Sequence, residues 1–211
     1  KCAKIMGLDE KNLLRIKTDN KGCMDIKNLK KNLDNCFLEN KKIFAIVATL
    51  GTTIRGAIDP IEDISEICKQ RKIWLHIDGS IGGIFALTSI PIEGLNNISQ
   101  ADSITINPQK TIGITKTSSF LLVSNLDDLA NTFSTGLPYI SSKESIINRG
   151  ELGIQGSRPA EVIKLWLGFR FLGMHGIEDI LESSINRKDF FINHLSKHKF
   201  DIFSEIGRAH V

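Results

Sequence analysis

An α/β fold with a mostly parallel sheet is predicted by three features of the sequence. Short β-branched and apolar runs alternate with helical periodicities. Gly or Pro punctuates the joins. Polar, chemistry-bearing residues stand just past the ends of the runs. Taken in order, residues 25–39 place Ile26, Leu29, Leu33 and Phe37 at helical spacing, with Asp25 as the N-cap. Residues 43–49 form an apolar, β-branched run that reads as a buried strand, broken by Gly51-Thr52-Thr53. Pro60 opens a helix that runs to about Arg71, with Ile61, Ile64, Ile67 and Cys68 on one face. Residues 73–77 form a second strand ending at Asp78, and Gly79, Gly82 and Gly83 mark a loop. Residues 103–106 read as a third strand. Residues 120–123 read as a fourth, antiparallel because its link is short. Helices over 160–172 and 177–195 are split by Gly173 and Gly176, and residues 199–203 read as the start of another strand.

Composition bounds the function. With 211 residues, 41% of them hydrophobic and 24% charged, the chain buries a core without disulfide or metal staples. Disordered, collagen-like and coiled-coil classes are excluded. The longest apolar run, residues 43–50, is far short of the roughly 20 residues a membrane helix needs. The 27 basic and 24 acidic side chains leave a formal charge of +3, too balanced to argue for nucleic acid. The pairs Lys30-Lys31 and Lys41-Lys42 flank the first helix and read as a solvated face. Cys2, Cys23, Cys36 and Cys68 show neither C-x-x-C spacing nor clustering with His, so a zinc site and a disulfide framework are not expected. A reducing, cytoplasmic compartment fits that usage.

In parallel sheets ligands gather at the carboxyl ends of the strands. Thr53, Asp78 and the stretch from Asn107 to Lys110 all lie just past predicted strand ends. A carboxylate at a buried strand end is costly unless a cation or hydrogen-bond donors meet it. Asp78 and Lys110 together therefore read either as a structural ion pair or as two halves of a cofactor site. Pyridoxal phosphate needs both residue types. A Lys holds its aldehyde, and an acid keeps its pyridine nitrogen protonated. Such a Lys must be neutral to react, which predicts partial burial.

Four blocks carry a resemblance. They are Val47-Ala48-Thr49-Leu50-Gly51-Thr52-Thr53 with Gly56-Ala57-Ile58-Asp59-Pro60; Trp74-Leu75-His76-Ile77-Asp78-Gly79-Ser80 with Gly82-Gly83; Asp102-Ser103 with Asn107-Pro108-Gln109-Lys110; and Gly156-Ser157-Arg158 with Lys164-Leu165-Trp166-Leu167. In order and spacing, including the 32-residue step from Asp78 to Lys110, the chain resembles the group II pyridoxal-phosphate-dependent amino-acid decarboxylases from about Lys1 to about Leu195. That family includes the glutamate, aromatic-amino-acid and 2,4-diaminobutyrate enzymes. The resemblance implies the PLP-dependent transferase fold type I and pyridoxal 5′-phosphate as cofactor. It also implies decarboxylation of an L-amino acid to its amine and CO2 through a Schiff base on Lys110. A homodimer with shared active sites is expected, with no nucleic-acid or membrane partner.

Roles follow from the same resemblance. Lys110 resembles the Schiff-base lysine, Asp78 the pyridinium partner and Thr53 the threonine that hydrogen-bonds the cofactor. Asn107 and Gln109 match positions near the phosphate, and Ser80 the small residue beneath the ring. His76 shares a strand face with Asp78 and reads either as its support or as a core histidine. Arg158 matches the arginine that binds the substrate carboxylate in the glutamate branch, or else is a surface or capping Arg. Gln109 stands where the family most often has His, and Thr111 where many members have Trp. The family's loop Tyr should fall within residues 138–152, and the single Tyr, Tyr139, is too early to match. An aldehyde synthase, a desulfurase, an aminotransferase or an inactive partner protein are the alternatives.

The expected organisation is residues 1–150 as part of the large cofactor-binding domain and 151–205 as connecting helices and the start of a C-terminal domain. Residues 206–211 match the product of a common sequencing adapter and are expected to be a scar. The chain opens in mid-pattern at Lys1 and reads as an internal fragment. On the resemblance, the phosphate-cradling loop and the ring-stacking His precede it.

Overall fold

The computed structural model describes residues 2–135, 149–198 and 200. A short helix α1 (Cys2–Ile5) leads to α2 (Ile26–Leu38), then β1 (Ala45–Thr49), α3 (Ile61–Arg71), β2 (Trp74–Asp78), β3 (Ser103–Ile106), β4 (Phe120–Val123), α4 (Leu126–Phe133) and α5 (Val162–Lys197), with short 3-10 turns between. The sheet order is β1-β2-β3-β4. The first three strands are parallel and β4 is antiparallel to β3, as the short β3–β4 link predicts. The α/β class therefore stands.

Local chemistry explains the helices. The Asp25 side chain accepts the Asn28 amide at 3.0 Å and caps α2. Helix α3 carries Glu62 and Asp63 in its first turn and Lys69 and Arg71 in its last, both favourable to its dipole. It stops at Lys72, a left-handed residue with φ 55°, after which the Ile73 amide reaches Cys68 O at 3.0 Å. Helix α4 was not foreseen. Its signal is local, since Asn125 accepts the Asp127 amide at 3.0 Å and two acids occupy the first turn.

One face of the sheet is covered. Leu29 and Leu33 of α2 and Ile61, Ile64, Ile67 and Cys68 of α3 pack with Ile46, Ala48, Leu75, Ile77, Ile104 and Ile106. Ile177 and Leu181 of α5 join the same core. Each such Leu or Ile side chain contributes about 1.5–3 kcal/mol on full burial. Burial also pushes the Cys68 thiol up to about 11.

Several expectations need correction. Strand β1 begins at Ala45 and is buried on one face only: Ile46 and Ala48 point inward while Val47 is 56% exposed. In α2 the third apolar contact comes from Cys36, and Phe37 is 78% exposed. The C-terminal helices are interrupted at Gly173 alone (φ 62°, ψ 179°), and Gly176 is helical. Phe200 lies outside any strand, and the rest of 199–203, like 206–211, falls outside the described residues. No helix among the described residues is long and apolar enough to cross a membrane.

Candidate active site

Parallel register aligns the strand ends. Thr49 of β1 pairs with Asp78 of β2, and Asp78 with Thr105 of β3. All three side chains stand on the uncovered face, because cross-strand partners share a face. One row back, Val47 pairs with His76, and His76 with Ser103.

Asp78 is held by its own turn. Its Oδ1 accepts the Ser80 hydroxyl at 2.5 Å and the Ser80 amide at 3.1 Å. Among the described residues Oδ2 takes no hydrogen bond, so one carboxylate oxygen is fixed and the other is available. The glycines behind it allow close approach. A Cβ on Gly82 would lie 2.6 Å from Leu50 O, and one on Gly83 would lie 2.8 Å from Ile106 Cγ1. The Gly82 amide instead donates to Leu50 O at 2.9 Å, tying this loop to the end of β1.

The Gly-Thr-Thr block is a closed turn. The Gly51 and Thr52 amides both reach Ala57 O, and the Ala57 amide returns to Thr52 Oγ1 at 3.0 Å. Thr52 is thus used within the turn, while Thr53 stands exposed at its tip. The turn's base is clamped by Asp59, whose carboxylate accepts the Thr49 amide at 2.7 Å and the Met24 amide at 2.6 Å. Burial, the larger influence, raises the Asp59 pKa against those two bonds. The sequence offered Asp59 only as part of a matching block; its role depends on a contact 35 residues away.

Past β3, Pro108–Lys110 form a 3-10 turn. The Asn107 Oδ1 atom is buried and meets no donor; turning the amide over presents its NH2 group there instead, the end from which a phosphate oxygen accepts. Gln109 Oε1 accepts the Ser118 amide at 2.6 Å, so its oxygen is fixed inward and its two amide protons remain to donate. Thr111 donates to Ile81 O at 3.2 Å and links this segment to the glycine loop. Lys110 is exposed rather than partly buried; it closes the 3-10 turn that follows β3. Lys110 and Asp78 form no ion pair, which removes the structural-pair alternative.

His76 proves to be neither a plain core residue nor a direct Asp78 partner. Its Nδ1 lies 2.8 Å from Ser103 Oγ and its Nε2 lies 3.3 Å from Thr105 Oγ1. Ser103 Oγ also accepts Trp74 Nε1–H at 2.8 Å. Burial lowers the His76 pKa, and the Asp78 charge opposes that more weakly. The roles of Trp74, Ser103 and Thr105 were not legible, since they depend on register. Arg158 lies in an exposed stretch ahead of α5, outside the sheet. Tyr139 falls outside the described residues. Among the described residues no group of three or more His, Cys, Asp or Glu side chains is placed to hold a metal ion.

The residues present suit pyridoxal phosphate. One carboxylate oxygen is open for a ring nitrogen, the Gln109 amide protons are open for a phosphate, and a lysine follows in the same strand-end segment. Fold and site thus define an α/β protein whose parallel strands gather polar, chemistry-bearing side chains at their carboxyl ends.

The comparisons agree with this. The family described as "Pyridoxal-dependent decarboxylase conserved domain" matches residues 1–211, and the chain belongs to that family. It is 29% identical over 218 residues to the acidic amino acid decarboxylase GADL1 of Bos taurus, covering 100% of this chain and 42% of that protein. It is 31% identical over 189 residues to an aromatic-L-amino-acid decarboxylase of Bacillus atrophaeus, covering 88% of this chain and 39% of that protein. The crystal structure of mouse CSAD superposes with a TM-score of 0.87 at 25% identity, over 93% of this chain and 41% of that one. The chain therefore spans about two fifths of the length of the relatives it matches.

Proposed function

We propose that the protein carrying this chain removes the α-carboxyl group of an amino acid as CO2 and leaves the amine, using pyridoxal 5′-phosphate at the β1–β3 rim. The observation that carries the reading is Asp78, fixed through Oδ1 by Ser80 and open at Oδ2, in the same row as Thr49 and Thr105. Bound pyridoxal phosphate supplies an electron sink for the pair left on Cα when CO2 departs.

This chain's residues do the rest. Asp78 Oδ2 holds a proton on the ring nitrogen, because an adjacent carboxylate favours the charged form. Lys110 Nζ supplies the amine for the aldehyde and carries protons at the rim. Asn107 and the Gln109 amide protons donate to the phosphate, and Thr53 hydrogen-bonds the cofactor. Ser80 does more than leave space beneath the ring: it orients Asp78. Arg158, exposed ahead of α5, reaches the substrate from outside the sheet; its planar fork on a side-chain carboxylate, rather than on the α-carboxylate that leaves, selects an acidic amino acid, in keeping with the relative named an acidic amino acid decarboxylase.

The reading extends to a homodimer. Trp166 and Phe171 of α5 are 59% and 89% exposed, large apolar surfaces of the kind subunit contacts cover. Sedimentation at micromolar concentration tests it, with a monomer as the adverse result. A cytoplasmic setting is supported by the unpaired thiols Cys23, Cys36 and Cys68.

The deciding experiment incubates the full-length, cofactor-loaded protein with glutamate, aspartate, cysteine sulfinate, diaminobutyrate, tyrosine and histidine, and reads products by mass spectrometry. Amine and CO2 from one of them, lost in Lys110→Ala, is the expected result. Aldehyde with ammonia, CO2 and hydrogen peroxide would mean decarboxylation coupled to oxidation by dioxygen, not simple decarboxylation. No turnover of any substrate would count against the proposal.

A further inference from the structure

The uncovered sheet face carries a chain of side-chain hydrogen bonds with a fixed direction. Trp74 Nε1 can only donate, and it donates to Ser103 Oγ at 2.8 Å. Ser103 is buried, and its only other hydrogen-bond neighbour among the described residues is His76 Nδ1 at 2.8 Å. If Nδ1 carried a proton, Ser103 would accept twice and its own hydroxyl proton would be buried without an acceptor, which is costly. If Nδ1 is bare, every group is satisfied: Trp74 donates to Ser103, Ser103 donates to Nδ1, and Nε2–H donates to Thr105 Oγ1 at 3.3 Å. Thr105 is the register partner of Asp78.

We infer that Trp74 and Ser103 are positioning residues that hold His76 as the neutral Nε2–H tautomer, its proton directed at Thr105 in the Asp78 row. The consequence for the cofactor rests on the function proposed above. A doubly protonated His76 would place a cation two residues from Asp78 on the same face and compete for the carboxylate. With Nδ1 occupied by the Ser103 hydroxyl, a second proton has no ready place, and the open Asp78 Oδ2 is left to the ring nitrogen. Burial of the imidazole acts in the same sense.

The test reads the ring nitrogens directly. The full-length protein is labelled with 15N-imidazole histidine, His76 is assigned by His76→Gln, and spectra are taken without and with pyridoxal phosphate. The expected wild-type spectrum at neutral pH has a bare Nδ1 and a proton on Nε2 alone. Trp74→Phe frees Ser103 to accept, so a population with Nδ1–H should appear. Ser103→Ala should mix the tautomers as well, and it decides the matter if Trp74→Phe does not fold.

A second arm measures cofactor affinity by equilibrium dialysis. A Gln side chain places its amide near Nε2 and an Asn near Nδ1. His76→Gln should therefore bind pyridoxal phosphate about fivefold more tightly than His76→Asn, the worth of one retained hydrogen bond. Nδ1–H or a doubly protonated ring in the wild type would overturn the inference. So would a tautomer unmoved by both Trp74→Phe and Ser103→Ala, or an Asn variant binding as well as the Gln variant. A protein that binds no pyridoxal phosphate at all would sink the proposed function, while the nitrogen spectra would still decide the relay.

Discussion

Asp59 and Thr49 bind each other in both directions. The Asp59 amide donates to Thr49 O at 2.9 Å and the Thr49 amide donates to Asp59 Oδ2 at 2.7 Å. With the Met24 amide on Oδ1, this pair fastens the segment before α2 to the last residue of β1. Replacing Asp59 by Ala leaves two largely buried N–H groups without acceptors. The expected loss is about 2–4 kcal/mol of unfolding free energy, read by urea denaturation of the full-length protein. Asp59→Asn, which keeps one acceptor, should lose less.

The same residue gives a pH signature. Its native pKa is raised, chiefly by burial. A raised native pKa means the native state holds the proton more tightly, so the contribution to stability is complete below the ordinary carboxylate pKa. It is lost as pH rises through the raised value. The difference in stability between wild type and Asp59→Asn should therefore change across that acidic window and be flat above it. A difference that is flat throughout would contradict the shift.

His76 should act in the opposite sense. Its native pKa is lowered, first by burial, with Asp78 opposing. The stability it contributes is present above the ordinary histidine pKa and lost as pH falls through the native one. Thermal melts from pH 8 to 5 should show a decline in wild type that is smaller in His76→Gln.

Gly82→Ala tests the fit of the glycine loop. The added methyl would meet a backbone oxygen at 2.6 Å, which no rotamer can relieve. Leu50 and the turn after it must move, so cofactor affinity should fall by at least about tenfold, of the order expected when overpacking costs 1–3 kcal/mol. Equilibrium dialysis with pyridoxal phosphate checks it. Unchanged affinity would mean the loop is not part of the site.

Lys72→Gly should stabilise the protein. Lys72 sits at φ 55°, where a Cβ costs about 1 kcal/mol and glycine pays nothing. A gain of about 0.5–1 kcal/mol is expected, with activity unchanged, since Lys72 lies at the far end of α3 from the strand ends.

The sequence made the strand ends legible because each β-branched run stops abruptly at a polar residue. That is why Asp78 and the Asn107 to Lys110 stretch could be singled out, and why the three parallel strands were expected. What covers each face is not written in the runs themselves. Val47 and Phe37 look like core residues by spacing, yet both are exposed because no described element packs over them. Contacts set by register were also hidden. Trp74 and Ser103 lie 29 residues apart, and only the β2–β3 pairing makes them neighbours. Helix α4 is a different kind of omission, since its cap and first-turn acids were in plain view.

The alternation along β2 makes the site a matter of parity. Leu75 and Ile77 face the core while Trp74, His76 and Asp78 face the rim. Inserting or deleting a single residue between 74 and 78 would exchange the two sets, driving a carboxylate into hydrocarbon and an isoleucine out of it. Length changes in the loops joining α3, β2 and β3 carry no such inversion. Natural variation in this protein should therefore tolerate indels on either side of the strand and none of odd length within it.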